Sequence, residues 1–529
     1  MNTTYTTRRP INSKKLLGFI SKLLLVAAVM LFASNDVFAQ RTVNVEPGLG
    51  TLNEAIASDT TETGARVDSN TVYVLERGGF YALEGSIQNR GYHLSIVAEE
   101  GEGERPMLVP AAGEGGVSSR PIRARGDLTV RGLYITGEDN TGALNGDLRI
   151  IRVSENDVTI TVDDCHLDKD GQAAFRIDNS GNRIFITNST ISNIGTTASL
   201  DNGRVIDDRG SQIDTLVMEN NTFYNITSQV LRDAGGEINY ANINHNTVVN
   251  IGKNGAFEFG QVVEAYFTNN LVINGAFMGR PESEVAEESL FVVRVDPLSQ
   301  AQIDSLGEAS VTISNNNIYR DQSLTDAYPD SVLPAVDFNA NAVSYIEAAG
   351  TGSSNISEDV TFTNGPAVPV DVMTSFYATP DASQPDMPTD GEPFDFGYAA
   401  TFDSYTAGTS GQQLGSLIWH GGMTVSNEVE EPGKDAPQSF KLNGNYPNPF
   451  NPTTNISFNL SEAANVSVDV FSVIGQRVMT IPAQRMSAGS NQNIKIDASS
   501  LTSGLYIYRV TANAGNNSFV KTGRMTLIK

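Results

Sequence analysis

Between Val158 and Ile318 one short pattern keeps returning: an apolar strand, an Asn-rich corner and a second apolar strand. It reads Ile184-Phe-Ile-Thr-Asn-Ser-Thr-Ile191, then Leu216-Val-Met-Glu-Asn-Asn-Thr-Phe223, then Ala241-Asn-Ile-Asn-His-Asn-Thr-Val248. It continues as Ala265-Tyr-Phe-Thr-Asn-Asn-Leu-Val272 and Val311-Thr-Ile-Ser-Asn-Asn-Asn-Ile318. The corner positions Cys165, Ser189, Asn221, Asn246, Asn270 and Asn316 follow one another at 24, 32, 25, 24 and 46 residues. Repeats of this length mark a solenoid, and strands with a two-residue period make it a β-solenoid. Corner amides stacked at the strand spacing of about 4.8 Å can hydrogen-bond up and down the stack, which is why Asn suits the site. Such a fold places one chosen residue per coil in a straight line along its outside.

The rest of the composition agrees. The chain has 529 residues, 18% charged and 40% apolar, enough for more than one domain. Helical periodicity and caps are sparse while Val, Ile, Thr, Asn and Gly dominate, so the class is all-β. A net charge of −26 excludes nucleic acid as a natural partner, because a phosphate backbone would be repelled. No motif demands a cofactor, although the acidity leaves room for Ca²⁺. The single cysteine, Cys165, excludes an intrachain disulfide and reads as a small buried corner residue.

The N-terminus has the layout of a signal peptide. Arg8, Arg9, Lys14, Lys15 and Lys22 precede an apolar run from Leu23 to Ala33, and small residues lead to Ala39. The run is too short for a stable anchor, and no later stretch is of spanning length, so residues 1–39 are expected to be removed and the mature chain to lack a transmembrane segment. Residues 40–338 then read as a capped coil stack, with Thr51–Ile56 a short amphipathic helix over its open end. Residues 339–424 form a less regular closing segment, rich in Pro, whose sole Trp, Trp419, is expected to seal the last coil. A Glu/Pro-rich linker covers 425–438, and alternating strands over 439–529 read as a small β-sandwich.

Two resemblances sharpen this outline. The succession of helix, strands and coils resembles the pectate-lyase-like right-handed parallel β-helices, with three strands per coil. The string Tyr446-Pro-Asn-Pro-Phe-Asn-Pro452, with Gly504-Leu-Tyr-Ile-Tyr508 and a basic last strand, resembles the type A C-terminal sorting domain of the type IX secretion system of Bacteroidota-like bacteria. That resemblance implies a partner, the type IX machinery, and release or surface attachment after export. A monomer is expected.

A candidate site emerges from the strand preceding each repeat. Aligning Ile151-Arg-Val153, Phe175-Arg-Ile177, Ile206-Asp-Asp208, Leu231-Arg-Asp233, Phe257-Glu-Phe259 and Val293-Arg-Val295 puts Arg152, Arg176, Asp207, Arg232, Glu258 and Arg294 in register. Apolar neighbours point inward, so by alternation the charged residues point out, as a stripe some 24 Å long at about 4.8 Å per coil. Arg offers a planar fork to carboxylates or sulfates, and the acids can accept sugar hydroxyls, so an acidic extracellular polysaccharide is the expected partner. The competing reading is a cross-strand charge ladder, because Arg176, Asp207, Arg232 and Glu258 alternate in sign.

The lyases that this resemblance brings in pair Ca²⁺ with a basic groove residue, which implies Arg232 or Arg176 as base. A hydrolase needs two carboxyl groups, about 6.5–9.5 Å apart for inversion, and Asp207, Asp208 and Asp233 on adjacent coils could supply them. Asp207-Asp208 is similar to the polygalacturonase pattern, but the Gly-His-Gly element of that family is missing. Arg232, Asp207 and Asp233 are thus the catalytic candidates, with Arg152, Arg176, Glu258 and Arg294 as binding residues. A non-catalytic scaffold or adhesin is the alternative. His166 and His245 read as structural, and Asp168-Lys-Asp-Gly171 as a turn rather than a calcium loop.

Overall fold

The computed structural model describes residues 41–527 apart from 62–65, 113–119, 145–148, 283–289, 381–383, 421–439, 448–449, 461–462, 473–476, 503 and 515–516. The expected signal peptide and linker lie outside the described residues. From Thr42 to Phe338 the chain is a parallel β-helix. One coil runs Arg149–Val153 on face 1, Thr159–Asp163 on face 2 and His166–Asp170 on face 3. The next coil repeats this as Ala173–Ile177, Asn182–Thr187 and Thr190–Ile194, each strand pairing in parallel with its predecessor. Faces 1 and 2 merge into an 18-stranded sheet, and face 3 is a 10-stranded sheet.

The corner between faces 2 and 3 explains the repeat. It needs one residue in the left-handed region, and Asp164, Asn188, Asn220, His245, Asn269 and Asn315 hold it at φ of 51–61°. Asn and Asp tolerate that conformation better than other side chains, and glycine is not required. The next residue turns inward and is fully buried, as at Asn221, Asn246, Asn270 and Asn316. Both the Asn221 backbone N–H and its Nδ2 donate to Asn246 Oδ1, at 3.1 and 3.0 Å. Asn246 does the same to Asn270, and Asn270 to Asn316, all four at 3.0 Å. Ser189 and Cys165 extend the ladder at one end, each backbone N–H donating to the side-chain oxygen of the next corner residue. At the other end Asn316 donates to Asn355 Oδ1, a rung that the strand repeat does not reveal because no apolar pattern flanks it. Cys165 packs as the small corner residue, its thiol pushed up to about 12 by burial.

Both ends of the stack are covered, which removes exposed pairing edges. Helix Thr51–Ser58 buries Leu52 and Ile56 in the coil core. It stands between the face-3 strand Gly48–Leu49 and the face-2 strand Val72–Leu75, and so takes the place of a face-1 strand in the first coil. The far end is closed by helix Ala340–Ala349, whose Ala342 and Ile346 join the same core. Its cap is legible, since the Asn339 side chain accepts from the Ala342 N–H.

That helix is the part of the closing segment that covers the last coil; beyond it the segment, Trp419 included, does something else. Residues 355–380 and 384–420 run along the outside of face 3 and its corners. Tyr224, Val249, Leu271 and Ile273 of face 3 pack there with Val360, Phe394, Phe396, Tyr398 and Leu414. Trp419 donates from Nε1 to Thr222 Oγ1 at 2.8 Å and packs on Phe396, far from the terminal coil. Outward corner amides hold this strap: Asn220 Oδ1 accepts from the Leu417 N–H at 2.6 Å, and Asn250 Nδ2 donates to the Ala367 carbonyl at 3.0 Å. Aromatic content announces a packing role for the segment, but its site depends on which face of the stack is left apolar.

The C-terminal module has two antiparallel sheets. One contains Phe440–Tyr446, Thr453–Leu460 and Gly489–Asp497; the other contains Arg477–Met486, Ala464–Ser472, Gly504–Ala514 and Asn517–Leu527. Ile456 and Phe458 of the first share a core with Val466, Val468 and Val470 of the second. Strand Arg477–Met486 carries Pro482 yet is an edge strand, where a missing N–H is tolerated.

Candidate binding face

Strand pairing on face 1 puts the aligned charges in one row. Arg152 lies opposite Arg176, Arg176 opposite Asp207, and Asp207 opposite Arg232. Leu231 pairs with Phe257, which sets Arg232 beside Glu258, and Glu258 lies opposite Arg294. The neighbours Ile151, Val153, Phe175, Ile177, Ile206, Leu231 and Phe257 are all fully buried, so alternation turns the charged row outward. Two further rungs precede it, because Arg152 also lies opposite Arg123, and Arg123 opposite Gln88. The repeat does not lead to them, because Ile122-Arg-Ala-Arg125 precedes the first recognisable Asn corner; its alternation of apolar and Arg residues is the available signal.

Charge is not spread evenly along the row. In the later half each arginine is matched locally. Arg232 Nη1 donates to Asp207 Oδ1 at 2.7 Å, and Arg294 grips Asp296 through Nε and Nη2 at 2.9 and 2.8 Å. The earlier half is crowded with cations. Arg152 and Arg176 share one carboxylate, Asp178, with Arg176 Nε at 2.9 Å from it. Arg120, Arg123 and Arg149 stand around them. Burial, then the repulsion of Arg152 and Arg123, lowers Arg120 from the usual guanidinium value. Burial followed by Arg176 does the same to Arg149, and burial followed by Arg125 and Arg152 to Arg123. An anion placed here would relieve that repulsion.

The carboxylates have distinct settings. Asp207 is buried and engaged with Arg232. Asp208 and Asp233 follow their strands by one residue and cap turns: Asp208 Oδ1 accepts from the Ala234 N–H at 2.9 Å, and Asp233 Oδ1 from the Gly235 N–H at 2.7 Å. Burial raises Asp208 to about 6, with Asp233 adding to the shift. Glu258 also rises to about 6, through burial, against a hydrogen bond from Gln229 and the charge of Arg294. Among the described residues no group of three or more His, Cys, Asp or Glu side chains could hold a metal ion. Asp168 accepts from Tyr134 Oη and Ser192 Oγ at 2.6 and 2.7 Å, and His166 Nε2 lies 2.8 Å from Ser192 Oγ.

Beneath the cationic half sits Asp170, fully buried and raised to about 7 by desolvation against two backbone donors and the charges of Arg149 and Arg120. Its Oδ1 accepts from the Gln172 and Ala173 N–H groups, while Oδ2 has no partner among the described residues. The folded state thus holds a proton that the unfolded chain gives up near pH 4, so the stability this group confers is present at low pH and lost as pH rises towards 7. Asp170→Asn is expected to abolish that loss, gaining roughly 4 kcal/mol above pH 7 at most. Melting wild type and variant from pH 5 to 8 checks it: the wild type should fall relative to the variant as pH rises.

The C-terminal module has its own recognisable geometry. Phe450 plugs the sandwich core, the Thr454 hydroxyl donates to the Pro447 carbonyl at 2.8 Å, and the Ala498 N–H donates to the Pro452 carbonyl at 2.9 Å. A family described as the secretion system C-terminal sorting domain matches residues 445–522. The C-terminal module is a type IX secretion sorting domain. The sorting domain directs the chain to the type IX machinery, and so to the cell surface or the medium. No described helix is long and apolar enough to cross a membrane. No curated protein matches the chain. Among solved structures, dimeric latent PorU from Porphyromonas gingivalis is similar at 20% identity over 18% of this chain and 10% of its own, with a TM-score of 0.16. That likeness spans a tenth of PorU and carries no argument about the coils. Deleting residues 440–529, the sorting domain, is expected to leave the chain on the periplasmic side of the outer membrane. Fractionation of cells and medium reads this directly; undiminished export would contradict it.

Proposed function

We propose that this exported β-helix binds an anionic extracellular polysaccharide along face 1, as pectate-lyase-like proteins do along theirs. The observation that carries the reading is the run Arg123, Arg152 and Arg176 with Arg120 and Arg149 beside it, in which Arg152 and Arg176 share one carboxylate, Asp178. On a chain of net charge −26 a polyanion is repelled almost everywhere else, so a local arginine row concentrates recognition. Guanidinium forks suit carboxylate or sulfate groups, and a repeat of about 4.8 Å per coil suits a linear chain laid along the stack. Arg232 and Arg294, already engaged with carboxylates, contribute less than Arg152 and Arg176.

One observation favours a second reading, hydrolysis. Glu258, raised to about 6, has Asp233 nearby and could cycle a proton near neutral pH. The lyase reading, with Arg232 as base, would require its bond to Asp207 to open. Affinity electrophoresis against alginate, pectate, glycosaminoglycan and ulvan panels, with and without Ca²⁺, separates these. Retardation without shortening supports binding; shortened chains that Glu258→Gln no longer yields support hydrolysis; unsaturated, ultraviolet-absorbing products support a lyase. No retardation on any of them leaves a scaffold or adhesin.

A further inference from the structure

At the N-terminal end of the stack the row meets the capping helix. Helix Thr51–Ser58 occupies the position of a face-1 strand, so the first true face-1 strand is Ile87–Arg90. On that strand Gln88 and Arg90 are exposed while Ile87 and Asn89 are buried, which turns the first pair outward. Gln88 continues the row of Arg123, and Arg90 lies opposite Arg125. Where this strand meets the helix there is a cleft of about 620 Å³, lined by residues of the helix such as Asn53 and Ile56, by Arg66, and by Ser86, Gln88, Arg90 and Tyr92. That volume falls in the usual range for small-molecule sites, about 300–1,000 Å³.

The cleft is chemically built as well as shaped. Arg66 is clamped by the Ile56 carbonyl at 2.7 Å, by Asp59 at 3.2 Å and by the Tyr73 hydroxyl. Its guanidinium carbon lies 4.4 Å from the centroid of the Tyr92 ring, which fixes that ring in the wall. Side-chain amides of Asn53 and Gln88 and the Ser86 hydroxyl supply neutral polar groups, and Arg90 supplies an exposed cation. A rigid aromatic, amide and hydroxyl donors and an exposed guanidinium are the groups that recognise a single acidic sugar.

We propose that this cleft is the terminal subsite of the row and takes the end residue of an anionic polysaccharide, with the rest of the chain running over Arg123, Arg152 and Arg176. The assignment rests on the reading of face 1 given above and adds to it a mode of engagement: the protein captures chain ends, because the helix blocks continuation of an internal segment past Gln88.

The test compares polygalacturonate, alginate and heparin, each as the polymer and as a purified octasaccharide, by calorimetry at equal mass concentration. End capture predicts that the octasaccharide of the bound type outperforms its polymer roughly tenfold in apparent Kd per unit mass, because shortening multiplies ends. It also predicts that Ser86→Trp, which fills the cleft while leaving every arginine, and Arg90→Ala each weaken octasaccharide binding about tenfold or more. Equal or better binding of the polymer by mass, lost with Arg152→Ala but not with Ser86→Trp, overturns end capture and leaves the face-1 reading standing. Binding of none of the three polymers or their octasaccharides, with no retardation on ulvan either, overturns both. The polymer-against-octasaccharide comparison uses the wild-type chain, so it decides the matter even if a variant misfolds.

Discussion

Asn246→Ala is expected to destabilise the coil stack by about 3–5 kcal/mol, the largest effect on stability expected of any single substitution in the ladder. The Asn246 amide accepts from both Asn221 donors and gives its own Nδ2 protons to the Met218 carbonyl and Asn270 Oδ1. Alanine would leave the Asn221 N–H and the Met218 carbonyl without those partners, in a place where no water reaches. Each such group costs about 1–3 kcal/mol. Asn246→Ser should cost less than half as much, because Ser189 fills the equivalent corner: its hydroxyl accepts from the Cys165 N–H and donates to the Thr187 carbonyl. A solenoid couples each coil mainly to its neighbours, so the damage should be local. Hydrogen exchange should quicken in the coils of Asn221 and Asn270 and stay unchanged near Thr42, while the thermal midpoint falls by several degrees. Equal midpoints for Asn246→Ala and wild type would show that the amide ladder follows the fold instead of holding it.

The second large effect concerns binding. Arg152→Ala combined with Arg176→Ala should weaken polyanion binding about 100-fold, at roughly 1.5 kcal/mol for each charge-assisted hydrogen bond removed. Asp178, left without either partner, would add repulsion at the same spot. The residual binding should depend less on salt, since fewer screened charge pairs remain. Arg294→Ala is the matched comparison: it lies on the same row but is held by Asp296, so a loss under about threefold is expected. Titration of the three proteins with one polyanion at two salt concentrations checks the pattern. Should Arg294→Ala weaken binding as much as the double variant, the division of the row into a cationic half and a self-neutralised half is wrong.

Much of this architecture is visible without coordinates. Asn at fixed spacing announces both the coil and its corner, because a left-handed corner residue and a buried amide each favour Asn for a separate reason. The row of charges can be aligned because each lies between two apolar residues on a strand of known parity, as in Phe175-Arg-Ile177. Where that parity breaks, alignment is a poorer guide. Asp208 and Asp233 stand in the alignment where other coils have an inward apolar neighbour, yet they follow the last strand residue and turn back to cap amides. Arg123 escapes the pattern because its strand has no Asn corner after it, and Asn355 because its rung sits in a loop.

The sequence by itself determined the things that repeat or are local: the stacked coils, the amide ladder, the capping helix at Thr51 and the export address at the C-terminus. These follow from periodicity and near-neighbour chemistry, which a linear string records fully. Tertiary structure alone decided which arginines are already matched, since Asp178 lies 26 residues from Arg152 and two from Arg176 yet serves both. It alone decided that the strap runs along face 3 and that the cap helix ends the row in a cleft. Those outcomes depend on which side chains from distant segments share a few ångströms of space. Coulomb attraction and desolvation act on that distance, not on separation along the chain.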